Sequence, residues 1–299
     1  MRPEQAATHA RQYGGRAFTT LAELLAEVDV VGVTTPTPQH HEVVLAAAAA
    51  GKHLVCEPPL TRHLRQAQEM VSTCRAAGVR LLVGHLERFS PQFQRARQAI
   101  DEGVVGKPGV IRLVRARPHP AASGSGWYAR HQESGGVILD LSIPDIDFVR
   151  WCCGEVERVF ARSLTFSEVG PVDHAYLLLR LVSGAIAHIE SSWARPSDYL
   201  ALEIAGDRGL LEFNSEDTRP LRALASSGEA ALVVPDDVLS PEDDPLYREL
   251  AHFLTCLESG TEFQVTPQDG VEAVRVALAV LESARTGQAI NLRDFQEAA

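Results

Sequence analysis

From Val28 to Thr35 the chain reads Val-Asp-Val-Val-Gly-Val-Thr-Thr, β-branched and apolar on both faces, the composition of a strand buried in a parallel sheet. Pro36-Thr37-Pro38 stops that strand, and His40 to Ala50 follows as a run of helix formers closed by Gly51, the usual residue just past a helix end. A short strand over His53 to Cys56, a helix over Leu64 to Ala77 ending at Gly78, and a strand over Val79 to Val83 come next. This β-α-β-α-β alternation predicts parallel strands joined by crossover helices, the doubly wound α/β class. The chain opens in a helix-like stretch, Pro3 to Tyr13, with no strand before it.

After about residue 105 the pattern changes. Val110 to Arg117 alternates apolar and basic residues, and Val137 to Trp151 reads as a helix. Strand-like runs follow over Val156 to Phe166, Ala175 to Val182, Ala185 to Trp193 and Leu200 to Ala205, with hairpin turns at Ser183-Gly184 and Asp207-Arg208-Gly209. Helical segments over Pro245 to Glu258 and Gln268 to Thr286 close the chain, and the acidic stretch Pro235 to Asp244 reads as an exposed loop. The prediction is a Rossmann-type domain over residues 1–104, then an α+β domain over residues 105–299 with a mostly antiparallel open sheet. The closing helices are free to pack back on the first domain.

Charge and composition narrow the function. The 299 residues carry 28 Lys and Arg against 39 Asp and Glu, a formal net charge of -11, the wrong sign for a nucleic-acid backbone binder. No apolar run approaches the roughly 20 residues of a membrane span, and the polar start lacks a signal-peptide core, so a soluble cytoplasmic protein is expected. Cys56, Cys74, Cys152, Cys153 and Cys256 are odd in number and form no C-x-x-C pair, which argues against a disulfide framework or a structural metal site.

Several strings then resemble one family in order. Thr35-Pro36-Thr37-Pro38-Gln39-His40 is similar to the T-P-x-x-x-H strand end of the Gfo/Idh/MocA oxidoreductases, and Cys56-Glu57-Pro58-Pro59-Leu60 stands where that family has C-E-K-P-L. Gly84-His85-Leu86-Glu87-Arg88-Phe89-Ser90-Pro91 resembles G-H-x-x-R-F-x-P, and Gly135 to Asp147 resembles G-G-x-x-x-D-x-x-x-H-x-x-D. The ending Glu282-Ser283-Ala284-Arg285-Thr286-Gly287 is also similar, and the wording is nearest to a branch that oxidises nucleotide-linked sugars. The resemblance implies a Rossmann domain for NAD or NADP and a second domain for a sugar-like substrate. It also implies a homodimer or homotetramer formed through the second sheet. Oxidising an alcohol requires a base within hydrogen-bond reach of the departing proton, a task for Lys and His in such enzymes.

The chain departs from that pattern at its chemistry. Pro58 stands in place of the motif lysine and Pro144 in place of the motif histidine, and proline has neither a titratable group nor a backbone N–H. Pro144 inside a helix would also remove the bond to the carbonyl of Asp140, at a cost of about 3 kcal/mol, and kink the segment. A glycine-rich G-x-G-x-x-G loop occurs nowhere in the chain, and residues 1–13 match the helix after the second strand of the family. Either the first two strands lie upstream of Met1, roughly 30 residues or one β-α-β unit, which the buried composition of Val28 to Thr35 favours, or the short chain is genuine and something else covers the edge of that strand. Val28 to Thr35 is then left with an unpaired edge, and cofactor anchoring and catalysis are impaired.

The candidate cofactor contacts are Thr35, Pro36, Thr37, His40, Glu57, Pro59, His85 and Arg88, and the candidate catalytic residue is Asp140. Structural roles compete for each: Thr37 as a helix cap, Arg88 as an ion-pair partner of Glu87 or of a domain-interface acid, Asp140 and Asp147 as capping or salt-bridging acids on one helix face two turns apart. The alternative to an oxidoreductase is a non-catalytic relative that binds a sugar-like ligand or a partner through its C-terminal sheet.

Overall fold

Leu54 and Cys56 pack on one face of a three-stranded parallel sheet and Val55 on the other, both faces buried, which is why these strands read as unbroken apolar runs. The computed structural model describes residues 3–119, 126–128, 130–164, 174–217, 221–225, 230–231 and 241–297. Helix α1 (Pro3–Tyr13) and helix α2 (Leu21–Glu27) come first, α2 begun by a capping box in which Thr20 and Glu23 satisfy each other's backbone N–H. Strand β1 (Val30–Val33), helix α3 (His40–Ala49), strand β2 (His53–Cys56), helix α4 (Leu64–Ala76) and strand β3 (Leu81–Val83) complete the first layer, in the order β1-β2-β3. Among the described residues β1 pairs on one side only.

Strand β1 is shorter than its composition predicts. Thr34 and Thr35 leave the ladder for a 3-10 turn at Thr37–Gln39, because Pro36 and Pro38 offer no N–H to a neighbouring strand. Thr37 does not cap α3: the cap position is Gln39, with no side-chain bond.

Helix α5 (Pro91–Asp101) leads to strand β4 (Pro108–Pro118), the centre of a nine-stranded sheet. Beyond helix α6 (His131–Ser134) and a π turn at Ile138–Ser142 come helix α7 (Ile143–Cys153) and strands β5 (Val156–Leu164), β6 (His174–Leu181), β7 (Ile186–Ser192), β8 (Ala194–Gly206), β9 (Gly209–Asn214), β10 (Leu221–Ala225) and β11 (Ala230–Ala231). Helix α8 (Pro245–Ser259), helix α9 (Pro267–Thr286) and strand β12 (Ile290–Asn291) end the chain. Only β4 and β7 run parallel in this sheet. In β6, Ala175, Leu177, Leu179 and Leu181 are buried and alternate with outward residues, the period-2 signature of a sheet covered on one face.

Two departures from the sequence reading matter. Helix Val137 to Trp151 is two pieces, because Pro144 sits in the first turn of α7, where its missing N–H is harmless, and the π turn precedes it. Strand β8 begins six residues earlier than predicted, held by pairing of β4 with β8 as far as Pro118 opposite Ala194. Of the predicted acidic loop, residues 235–240 lie outside the described residues, while Pro241–Asp243 form a 3-10 turn before Asp244 caps α8. Helix α9 joins the domains: Val271 and Val274 enter the first core, and Ala273, Val276, Ala277 and Val280 the second.

Candidate active site

The loops leaving β1 and β2 meet at a buried imidazole. His40 sets Nε2 2.7 Å from Thr35 O and Nδ1 3.1 Å from Pro59 O, tying the two strand ends together. Burial lowers its pKa below the ordinary histidine value, only partly offset by these carbonyls, so the neutral ring donates to one of them. The Glu57 N–H donates to Val33 O at 3.1 Å, and the Pro58-Pro59 peptide is cis. The carboxyl of Glu57 is raised by burial, then by the nearby charge of Glu87.

Across from these loops stands the π turn with Asp140. Trp193, 3% exposed, donates Nε1–H to Asp140 Oδ2 at 3.2 Å, and the Tyr128 hydroxyl also hydrogen-bonds this carboxyl. Burial pushes the Asp140 pKa up, against the pull of Arg117 and these two donors. Burial, followed by the charge of Asp140, pushes the Tyr128 pKa up to about 12.

A cavity of ≈ 280 Å³ lies between, lined by Thr35, Pro36, Thr37, His40, Glu57 and Pro59, with Tyr128 and Asp140 opposite. His85 and Arg88 do not line it. Arg88, 4% exposed, grips Asp147 through Nε at 2.8 Å and Nη2 at 2.7 Å and bonds Gln264 O at 2.9 Å, tying its turn to α7 and to the approach to α9. Glu87 pairs instead with Arg115 at 3.0 Å. His85 sits 3.8 Å from Asp147 Oδ1, fully buried, its pKa lowered chiefly by burial. Asp140 and Asp147 thus serve different places: the π turn spends an extra residue per turn, and the two acids no longer stack.

Thr34, Pro58, Trp127 and Ser134 complete the lining, of which Trp127, Tyr128 and Ser134 were absent from the sequence reading. Trp127-Tyr128 follows a Ser-Gly-Ser-Gly segment with no periodicity, and only the aromatic pair itself marked it.

The cavity suits the nicotinamide half of a dinucleotide. Thr35 Oγ1 is buried without a hydrogen-bond partner, an orphaned group that a carboxamide would satisfy. Thr35 also lines a second, largely apolar hollow of ≈ 550 Å³ beside α1, together with Val31, Gly32 and Val33 of β1. Among the described residues no cluster of acids, histidines and cysteines could hold a metal ion, and no helix is long and apolar enough to cross a membrane.

Two family models match the chain: an oxidoreductase family, NAD-binding Rossmann fold, over residues 1–85, and a GFO/IDH/MocA C-terminal domain over residues 93–212. A 1,5-anhydro-D-fructose reductase of Ensifer adhaerens is 33% identical over 97% of this chain and 88% of its own length. A myo-inositol 2-dehydrogenase of Thermotoga maritima is 30% identical over 93% and 85%. A levoglucosan dehydrogenase solved in complex with NADH superposes with a TM-score of 0.88 at 23% identity, covering 97% of this chain and 88% of that one, a likeness of fold. The chain belongs to the Gfo/Idh/MocA oxidoreductase family, with an NAD-binding Rossmann-type domain followed by the family's C-terminal domain.

Proposed function

We propose that this protein oxidises a hydroxyl of a free sugar or polyol, or reduces the matching carbonyl, with Tyr128 and Asp140 handling the proton. The carrying observation is that the Tyr128 hydroxyl is hydrogen-bonded to Asp140 on the wall of the cavity that Thr35, Glu57 and Pro58 also line. The relatives named above act on an anhydrofructose and on an inositol, which supports a free polyol or sugar over a nucleotide-linked one.

When bound, a nicotinamide dinucleotide supplies the acceptance or release of a hydride. Thr35, Pro36, Thr37, Glu57 and Pro59 hold its nicotinamide end, His40 fixes their loops, and His85 and Arg88 brace the turn behind. Tyr128 Oη takes the proton of the substrate hydroxyl as its own passes to Asp140, and the carbonyl C=O forms as the C–H pair leaves. Asp140 suits the part because burial moves its pKa toward neutrality while Trp193 and Arg117 keep it ionisable. This route does the work that Pro58 and Pro144 cannot.

The outward face of the large sheet supports a homodimer or homotetramer, since Val110 opposite Ile186, and Tyr176 and Leu178 on the outward side of β6, stand 37–45% exposed on it.

The test is a screen of inositols, aldoses and anhydro-sugars with NAD+ and NADP+, followed by absorbance of the reduced nucleotide. Tyr128→Phe and Asp140→Asn should each cost roughly a hundredfold in kcat with little change in nucleotide affinity. Nucleotide binding with no turnover of any substrate would instead support a non-catalytic relative that only holds a sugar-like ligand.

A further inference from the structure

Two acids meet above a glycine. A side-chain carbon built on Gly84 would lie 3.4 Å from Glu249 Oε1 and 3.5 Å from Glu57 Oε2, so the carboxyl groups of β2's end and of α8 approach the same point beside Gly84. Glu249 is 1% exposed, and its Oε2 has no hydrogen-bond partner. Glu57 lines the cavity and Glu249 does not.

Cations are short here. Arg115, on β4, is shared between Glu87 at 3.0 Å and Asp145 at 2.6 Å, on the 3-10 turn at Leu86–Phe89 and on α7. Among the described residues neither Glu57 nor Glu249 has an ion-pair partner. His85, beside Gly84, is buried near Asp147 and Arg88 with its pKa lowered chiefly by burial, and Tyr128 and Asp140 line the same cavity as Glu57. Two neighbouring carboxylates without a cation in a desolvated site cannot both stay ionised at neutral pH.

We propose that Glu57 and Glu249 hold one proton between them in the resting protein, and that the single negative charge left on the pair, presented to the cavity by Glu57, selects the cationic, oxidised nicotinamide over its neutral reduced form. The selectivity rests on the reading of the cavity as a nicotinamide site; the shared proton does not. Burial and then the charges of Glu57 and Glu87 raise the Glu249 pKa to about 8, consistent with Glu249 as the member that keeps the proton. Because the two sites are coupled, both titration steps belong to the pair. As pH falls through the lower step the pair loses its charge, and the preference for the oxidised nucleotide falls with it.

The first arm of the test needs no nucleotide. Carbon-detected NMR of the 13C-Glu-labelled full chain, with Glu249→Gln and Glu57→Gln for assignment, should show one protonated buried Glu at pH 7. Each substitution should lower the other residue's titration by about one pH unit, a tenfold change in proton affinity. Independent titration of the two residues, or an ionised Glu249 at pH 7, overturns the shared proton. In the second arm, calorimetry gives the affinities for NAD+ and NADH, and Glu57→Gln should lower their ratio in favour of NADH by about tenfold. An unchanged ratio with both nucleotides bound overturns the selectivity. Binding of neither removes the nicotinamide reading and the selectivity together, while the NMR arm still decides the shared proton.

Discussion

Trp193 Nε1 donates to Asp140 Oδ2 at 3.2 Å across the gap between the large sheet and the π turn, so the position of the proposed base is set by a residue of the second domain's core. The bond favours the ionised carboxylate and lowers the Asp140 pKa. Trp193→Phe should therefore raise that pKa further and move the acid limb of the kcat profile for alcohol oxidation to higher pH. A drop of roughly threefold in kcat at neutral pH fits the net worth of one hydrogen bond. An unmoved limb with reduced stability alone would make Trp193 a packing residue only.

Arg115 carries two carboxylates, one of them, on Asp145, fully buried. Arg115→Met leaves that charge with no partner and should cost about 3 kcal/mol of unfolding free energy, seen as a lower midpoint in urea at unchanged slope. Adding Asp145→Asn should recover much of the loss, since the stranded charge is then gone. Failure to recover would assign the cost to packing.

Glu249 makes stability depend on pH. Its carboxyl binds a proton more tightly folded than unfolded, with a folded pKa of about 8 against an ordinary value of 4.5. Its contribution is therefore fully present below the unfolded value and is lost as pH rises toward and through the folded one. Denaturant midpoints should decline between pH 5 and pH 8, and Glu249→Gln, the shape of the protonated acid, should flatten that decline.

On the outward face of the large sheet, Leu178 lies opposite His188 and is 45% exposed. A charge there should break the proposed self-association, so Leu178→Asp should reduce the mass read by light scattering to that of one chain. Equal masses for the two proteins would move the interface elsewhere.

The parallel strands were legible because both of their faces are buried: β2 was read at its observed limits. Strand β8 was not, since Arg195 to Asp198 is polar and contains Pro196, and only the backbone of β4 pulls that stretch into the sheet. Pro144 signalled a break in its helix, but the form the break took, a π turn that separates Asp140 from Asp147, depends on packing far from it in sequence. The strings at residues 35–40 and 56–60 led to most of the cavity, whereas His85 and Arg88, from the separate string at residues 84–91, are engaged by Asp147 and, for Arg88, also by Asp269. Glu249 did carry a signal. It is in phase with Phe253 and Cys256 on the buried stripe of α8, but exposed Leu246, Leu250 and Leu254 make the helix read as apolar on both sides.

The most direct test of the account is calorimetric titration of the 299-residue protein with NADH. The predicted result is saturable binding at one site per chain, weakened about tenfold by Thr35→Val, which removes a buried hydroxyl left without a hydrogen-bond partner in the cavity wall. Absence of binding, or binding indifferent to Thr35→Val and Glu57→Gln alike, would contradict it.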